Sequence, residues 1–148
     1  MAEEKIEGLA DTAWAKGISH VPDAEALAFA PVWIKRSELK PFGAAPGVTM
    51  QSSWGGALMA NWVTIEPNRP VPLHQHPNEQ LGIMIEGAME LTIGDETRVL
   101  RPGDAYAVPP DLPHSARTLD EGCVVLDIFT PVREDYRKLA KEAAGQES

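Results

Sequence analysis

Cysteine is almost absent from this chain. Cys123 is the single cysteine among 148 residues, so no intrachain disulfide can form. It lies in the apolar run CVVLDIF, where a thiol is expected to be buried and structural rather than reactive. The fold therefore has to be stabilised by an ordinary hydrophobic core, for which a hydrophobic fraction of 43% is sufficient.

Basic residues and long apolar runs are also scarce. Thirteen Lys and Arg residues stand against 22 Asp and Glu residues, giving a formal charge of −9. A basic surface for phosphate backbones is missing, so we expect no nucleic-acid partner. No stretch approaches the roughly 20 apolar residues that cross a bilayer. The N-terminal MAEEKIEGLADTAW carries acids where a signal peptide needs positive charge. We expect a cytoplasmic protein without a membrane partner.

Short β-branched runs separated by proline and glycine dominate the chain from Val32 onward. This texture is typical of an all-β sandwich or barrel. The predicted strands are Val32–Lys35, Leu58–Glu66, Gln80–Glu86, Met89–Ile93, Thr97–Leu100, Ala105–Val108 and Cys123–Thr130. The segment MELTIGDETRVL is the clearest hairpin, with two alternating runs closed by a Gly-Asp turn.

The two ends of the chain differ from this pattern. The first 30 residues are rich in alanine and acids and suggest an arm or short helical turns, in which His20 is a surface or interface histidine. After Pro131, early acids and later lysines predict a short C-terminal helix. We therefore divide the chain into an arm with an edge strand (1–45), a barrel (46–131) and a helix with its tail (132–148).

Three of the four histidines fall in two short polar clusters. His74 and His76 are separated by one residue, and alternate side chains of a strand point to the same side. His114 follows a proline-rich segment about 40 residues later and would return a third imidazole to the same barrel mouth. Three convergent imidazoles predict a site for one divalent metal ion.

The fourth ligand is predicted at the start of the next strand. Gln80 and Glu79 are adjacent, so strand parity allows only one of them to face the histidines, and we favour Gln80. An amide and three imidazoles are all neutral, so the ion would keep its full charge and act as a strong Lewis acid. Ligand type leaves Zn, Ni, Mn, Fe and Co open.

Asp127 interrupts the otherwise apolar last strand. A carboxylate there is costly unless it is paired or used. Arg133 is the nearest cation in sequence. Asp127 and Arg133 therefore form either a structural ion pair or a catalytic set, in which Asp127 moves a proton and Arg133 binds a substrate carboxylate.

Two motifs resemble those of the cupin superfamily. They are His74-x-His76-x3-Gln80-x6-Gly87 and Arg101-Pro102-Gly103-Asp104-x4-Pro109-x-Asp111-x2-His114. The resemblance implies an all-β double-stranded β-helix, or jelly-roll, barrel. This chain departs from the usual pattern at Gln80, where glutamate is common, and at Thr118, where the second motif usually ends in asparagine.

A narrower resemblance concerns the small cupins of pectin and alginate breakdown, which ketonise unsaturated monouronates. It is carried by H-x-H-P-x-E-Q, E-G-x-x-E-L-T-I and D-x-F-x-P-x-R-E-D-Y. In that family an Asp, a Phe and an Arg serve the pocket, matching Asp127, Phe129 and Arg133. Phe129, Arg133 and Met84 are the expected substrate contacts, and Met84 is also expected, with Met59 and Met89, to fill gaps in the barrel.

Three functions follow from these features. The first is a metal-dependent isomerase or lyase acting on a small oxygen-rich, uronate-like substrate. The second is a dioxygenase acting on a chelating substrate, and the third is a non-catalytic binding protein. The resemblance also implies a homodimer, because cupin barrels often pair through their sheets, and the apolar outer positions Leu81, Ile83 and Ile85 permit such pairing.

Overall fold

The computed structural model describes residues 29–146. The chain divides into two units, Met1–Ala30 and Pro31–Ser148, and the second contains all the elements below. The predicted N-terminal arm, with His20, lies almost entirely outside the described residues. Within the described range, no helix is long and apolar enough to cross a membrane.

Eight strands and one helix make up the described fold. A 3-10 turn at Arg36–Glu38 precedes them. The strands are β1 (Phe42–Ala45), β2 (Val48–Trp54), β3 (Met59–Ile65), β4 (Pro70–His74), β5 (Glu79–Ile93), β6 (Glu96–Leu100), β7 (Ala105–Val108) and β8 (His114–Thr130), and the helix is α1 (Glu134–Ala143). The predicted all-β class with a short C-terminal helix is confirmed.

All strand pairings are antiparallel. The main path runs β1-β2-β3-β8-β5-β6, with β4 paired to β8 and β7 paired to β5. β5 and β8 are the longest strands and pair from Glu79 opposite Thr130 to Ile93 opposite His114. β5 and β8 are therefore paired at both of their ends. β8 also pairs with β3 and β4, so it connects three strands of the sheet.

Two glycines allow β5 and β8 to bend where they cross. Gly87 and Gly122 have φ angles of 74° and 64°, in the left-handed region that suits glycine. A Cβ on Gly87 would lie 2.1 Å from the carbonyl oxygen of Gly122. The pairing register shifts on both sides of this point, between Met84 and Glu86 and between Gly87 and Met89. These irregularities are β-bulges that bend the sheet.

The core lies inside the barrel and is built by alternate residues of β2, β3, β5 and β8. Along β3 the pattern is regular, with Met59, Asn61, Val63 and Ile65 buried and the intervening residues more exposed. The helix α1 contributes Ala140 to the same cluster. In β3 this period-two pattern of burial is the one expected of a strand with one face toward the core.

The predicted strands differ from the observed ones in four respects. Val32–Lys35 is irregular rather than a strand, and β1, β2 and β4 were not predicted. The predicted strands Gln80–Glu86 and Met89–Ile93 are one strand, because the bulges at Gly87 replace the expected turn. β8 begins at His114, nine residues before the predicted Cys123, because its first half is polar but still paired.

Thr118 joins β8 to the loop between β3 and β4. It is fully buried, and its Oγ1 donates to the carbonyl of Glu66 (2.6 Å) and accepts from the amide of Arg69 (2.9 Å). Thr118→Val removes this hydroxyl and leaves two backbone groups unpaired. We expect a loss of about 1–3 kcal/mol in the free energy of unfolding, measured by urea denaturation.

The matched control for this variant is Thr97→Val. Thr97 shares only an exposed hydroxyl pair with Thr92, so we expect its loss to change stability by no more than about 0.5 kcal/mol. Equal effects of the two variants would contradict the structural role of Thr118.

Candidate metal centre and cavity

The three predicted histidines converge at one end of the barrel. His74 ends β4, His76 follows it in the β4–β5 loop, and His114 begins β8 opposite His74. Their ligand atoms all lie within 4.8 Å of one another, so the three side chains can hold a metal ion. The strand itself stops at His74, so the loop rather than strand alternation places His76.

Each imidazole is oriented by a backbone carbonyl two residues away. The Nδ1 atoms of His74, His76 and His114 lie 2.7, 3.1 and 2.8 Å from the carbonyl oxygens of Pro72, Asn78 and Leu112. A carbonyl can only accept, so each Nδ1 carries the proton and each Nε2 keeps its lone pair. Metal-binding histidines are commonly fixed in this way.

Two further observations fit a cation at this point. The Nε2 of His114 is the only buried side-chain nitrogen or oxygen without a hydrogen-bond partner among residues 29–146. The Nε2 of His76 lies 3.0 Å from Oε1 of Gln80. With Nδ1 protonated, both of these atoms are acceptors, and a cation near them would relieve the unfavourable contact.

Burial keeps two of the imidazoles neutral. It lowers the pKa of His76, with a further decrease from the positive charge of Arg133. Burial also lowers the pKa of His114 and outweighs the hydrogen bond to the Leu112 carbonyl. Neutral imidazoles are the form that binds metal ions.

Gln80 and Glu79 occupy opposite faces of β5. Gln80 is 6% exposed and reaches His76, whereas Glu79 is exposed to solvent. The structure therefore places the amide, and not the carboxylate, beside the three imidazoles.

A cavity of about 230 Å³ opens beside the histidines. One end carries polar groups, among them His74, His114 and Gln80. The remaining walls are mainly apolar side chains from the barrel interior, such as Val63, Ile65, Met89, Leu91 and Val125. A cavity of this size suits a small molecule with one polar end.

Asp127 projects into this cavity and hydrogen-bonds to Tyr106. The hydroxyl of Tyr106 donates to Oδ1 of Asp127 over 2.7 Å. Burial raises the pKa of Asp127 to about 6, although hydrogen bonds from Tyr106 and Gln80 and the charge of Arg133 oppose this. Burial and the nearby Asp127 raise the pKa of Tyr106 well above its ordinary value. At neutral pH the pair is thus a carboxylate and a neutral phenol.

Arg133 lines the same cavity but is paired with another acid. Its Nε and Nη2 donate to the two carboxylate oxygens of Asp135 over 3.2 and 2.7 Å. Its guanidinium lies over the ring of Tyr136, 3.9 Å from the centroid. Of the alternatives left by the sequence, the ion pair between Arg133 and Asp127 is wrong: Asp135 is the partner of Arg133, and Tyr106 is the partner of Asp127.

The two other expected substrate contacts have different positions. Phe129 lines the cavity, with its ring edge-on to His76 at a centroid distance of 5.5 Å. Met84 is 1% exposed, belongs to the core cluster and does not line the cavity. The structure brings Phe129 and Arg133 to the site and leaves Met84 in the barrel packing.

Tyr106 is the site residue that sequence reasoning missed. It lies on β7, opposite Gly82 of β5, and a Cβ on Gly82 would be 2.1 Å from Cζ of the tyrosine ring. Gly82 therefore leaves the space that the ring occupies. A glycine inside an apolar strand often marks such a close approach, and this was the available signal.

Comparisons with known proteins agree with this architecture. The cupin domain model matches residues 61–129. The pectin degradation protein KdgF of Dickeya dadantii (strain 3937) is 32% identical over 85 residues, which are 57% of this chain and 77% of that protein. The structure of KdgF from Halomonas sp. superposes with a TM-score of 0.69 and 29% identity, covering 72% of this chain and 99% of that chain.

A second relative is the H2HPP isomerase of Bacillus subtilis. It is 34% identical over 84 residues, which are 55% of this chain. The match spans only 36% of that relative's length. Two cupin motifs, an eight-stranded antiparallel barrel and these matches lead to one conclusion. The chain belongs to the cupin family and is homologous to KdgF in both sequence and structure.

Proposed function

We propose that this protein is a metal-dependent isomerase of small, oxygen-rich carboxylates of the uronate type. The observation that carries the proposal is the convergence on one cavity of His74, His114 and Gln80 with Asp127 and Arg133. The homology to a pectin degradation protein supports the substrate class. In this proposal His74, His76, His114 and Gln80 are the metal ligands.

In an enol-to-keto conversion, each of these cavity residues has a different role. A divalent ion, when bound, supplies Lewis-acid polarisation of a substrate oxygen. Arg133 binds the substrate carboxylate through donors not used by Asp135. Asp127 accepts the enol hydroxyl proton and delivers it to the adjacent carbon, so substrate and product have the same composition. Phe129 packs against the substrate and excludes water.

A combined metal and substrate assay tests the proposal. Purified protein is analysed for bound metals and then incubated with unsaturated monouronates, and the loss of their ultraviolet absorbance is followed. We expect about one divalent ion per chain and a loss of absorbance that a chelator prevents. A full metal site without turnover of any uronate would reject the substrate assignment. Activity without O2 separates the isomerase from the dioxygenase that the sequence also allows.

The apolar walls of the cavity favour a second candidate substrate class. Side chains such as Val63, Leu91 and Val125 offer no hydrogen bonds to sugar hydroxyls. A carboxylate with an apolar ring or chain would bury that part against them. The relationship to an enzyme named as an isomerase, H2HPP isomerase, supports isomerisation as the reaction. Turnover of carboxylates with an apolar ring or chain in preference to uronates would support it.

Arg133→Lys tests the carboxylate anchor. Lysine keeps the charge but loses the planar donor set that can serve Asp135 and a substrate together. We expect KM for a carboxylate substrate to rise about 10- to 100-fold, with a smaller change in kcat, measured by steady-state kinetics.

The matched control is Arg137→Lys. Arg137 pairs with Glu134 on α1 and does not line the cavity. Its replacement should leave KM unchanged. Equal KM values for wild type and Arg133→Lys would remove Arg133 from substrate binding.

A further inference from the structure

Tyr106 connects the proposed fourth metal ligand to the proposed proton carrier. Its hydroxyl lies 2.7 Å from Oδ1 of Asp127 and 3.3 Å from Nε2 of Gln80. The other atom of the same amide, Oε1 of Gln80, lies 3.0 Å from Nε2 of His76. One hydroxyl thus touches the amide from the side opposite the histidines.

The single phenolic proton sets the direction of this network. A carboxylate can only accept a hydrogen bond, so the hydroxyl of Tyr106 donates its hydrogen bond to Asp127. The phenolic oxygen can then only accept from its other neighbour, which must be the amide nitrogen of Gln80. The amide oxygen consequently points at His76, because the opposite orientation would place it against the phenolic oxygen, which is also an acceptor here. Without that phenolic oxygen, the opposite orientation would be favoured, since the NH2 group could then donate to Nε2 of His76.

The position of the Tyr106 ring is fixed by its neighbours. β7 holds Tyr106 opposite Gly82, and β8 holds Asp127 opposite the same glycine. The close approach of the ring to Gly82 is possible only because that residue has no side chain. The strand pairing and this close approach therefore determine where the hydroxyl lies.

We propose that Tyr106 is a positioning residue, which selects the carbonyl oxygen of Gln80 as the fourth ligand of the metal ion. The proposal rests on the metal role of Gln80 in the proposed function. Without the hydroxyl, the amide keeps only its hydrogen bond to Asp127. The alternative orientation, in which its NH2 group faces His76 and cannot bind a metal ion, then becomes accessible. Tyr106 acts through Gln80 and does not itself contact the ion.

The test is a double-mutant cycle read out as Zn²⁺ affinity. Zn²⁺ is titrated against a chromophoric chelator for wild type, Tyr106→Phe, Gln80→Ala and the double variant. Removing a group that orients a metal ligand typically weakens metal binding about 10- to 100-fold, and we expect this for Tyr106→Phe. In the Gln80→Ala background the same change should have no further effect, because the residue it acts through is gone. The visible absorption of bound Co²⁺ should change in Tyr106→Phe in the same direction as in Gln80→Ala.

Tyr136→Phe is the matched control. Tyr136 also lines the cavity, but it contacts Arg133 and Phe129 rather than a proposed ligand, so its hydroxyl should not affect Zn²⁺ affinity. Unchanged affinity in Tyr106→Phe, or additive losses in the double variant, would overturn the proposal. A wild-type protein without Zn²⁺ affinity would overturn the metal site itself. Normal affinity in Gln80→Ala would overturn only the role of Gln80 and, with it, that of Tyr106.

Discussion

Replacing His114 by alanine is expected to abolish stable metal binding. His114 is 3% exposed, and its Nε2 is directed at the other two imidazoles without a protein partner. Zinc sites with four protein ligands bind the ion with an apparent free energy of about 10–16 kcal/mol. If each ligand contributes about a quarter of this free energy, loss of one imidazole should weaken binding roughly 100- to 1000-fold. Metal analysis after dialysis should show about one ion per wild-type chain and almost none in His114→Ala.

The control for this variant is Gln75→Ala. Gln75 lies between the two histidines of the first cluster but is exposed, so its replacement should leave the metal content unchanged. Circular dichroism of both variants shows whether the barrel is intact. A folded His114→Ala protein that keeps its full metal content would refute the three-histidine site.

Asp127→Asn is expected to remove most of the turnover while leaving the site assembled. Asparagine has the same shape and can still accept the hydrogen bond from Tyr106 through its amide oxygen. It cannot carry a proton. General acid–base groups contribute about 10²- to 10⁴-fold to rate, so we expect kcat to fall by that factor. The metal content should remain close to that of wild type.

Asp120→Asn provides the comparison on the same strand. Asp120 also lies on β8 but is exposed and outside the cavity, so its turnover should equal that of wild type. Full activity of Asp127→Asn on the true substrate would assign proton transfer to another group. Loss of metal together with activity would instead make Asp127 a structural support of the site.

The sequence predicted the parts of the site that depend on local spacing. His74 and His76 share a short segment, and His114 lies in a second motif of the same superfamily, so convergence could be inferred before the fold was known. The choice of Gln80 over Glu79 needed only strand parity, which holds because β5 is regular at that end.

The parts that depend on pairing between distant strands were not predictable in the same way. Tyr106 and Asp127 are 21 residues apart and meet only because β7 and β8 both pair with β5 at Gly82. Arg133 is closer to Asp127 in sequence, but the first turn of α1 gives it a partner in Asp135. Proximity along the chain therefore fails for Asp127, whose partner Tyr106 is 21 residues away, although it holds for Arg133, whose partner Asp135 lies beside it in the sequence.

The prediction of strand boundaries was wrong where a polar segment is nevertheless paired in the sheet. The first half of β8 contains Arg117, Asp120 and Glu121 and looks like a loop in sequence, yet its residues from His114 to Thr118 pair with β5, and part of this stretch also pairs with β4. Met84 shows the opposite problem. It lies on the inner face of β5, as expected for a pocket residue, but the interior at that depth is filled by packing.

The carbonyl partners of the three imidazoles have a consequence for the entropy of the site. Each ring is held by a carbonyl only two residues away, and each of these short segments contains a proline: Pro72, Pro77 or Pro113. Proline restricts the backbone already in the unfolded chain, so less conformational freedom is lost when these segments become ordered. The rings can thus be aligned by folding alone. The conformational entropy of ordering them is then lost on folding and does not weaken the binding of an ion.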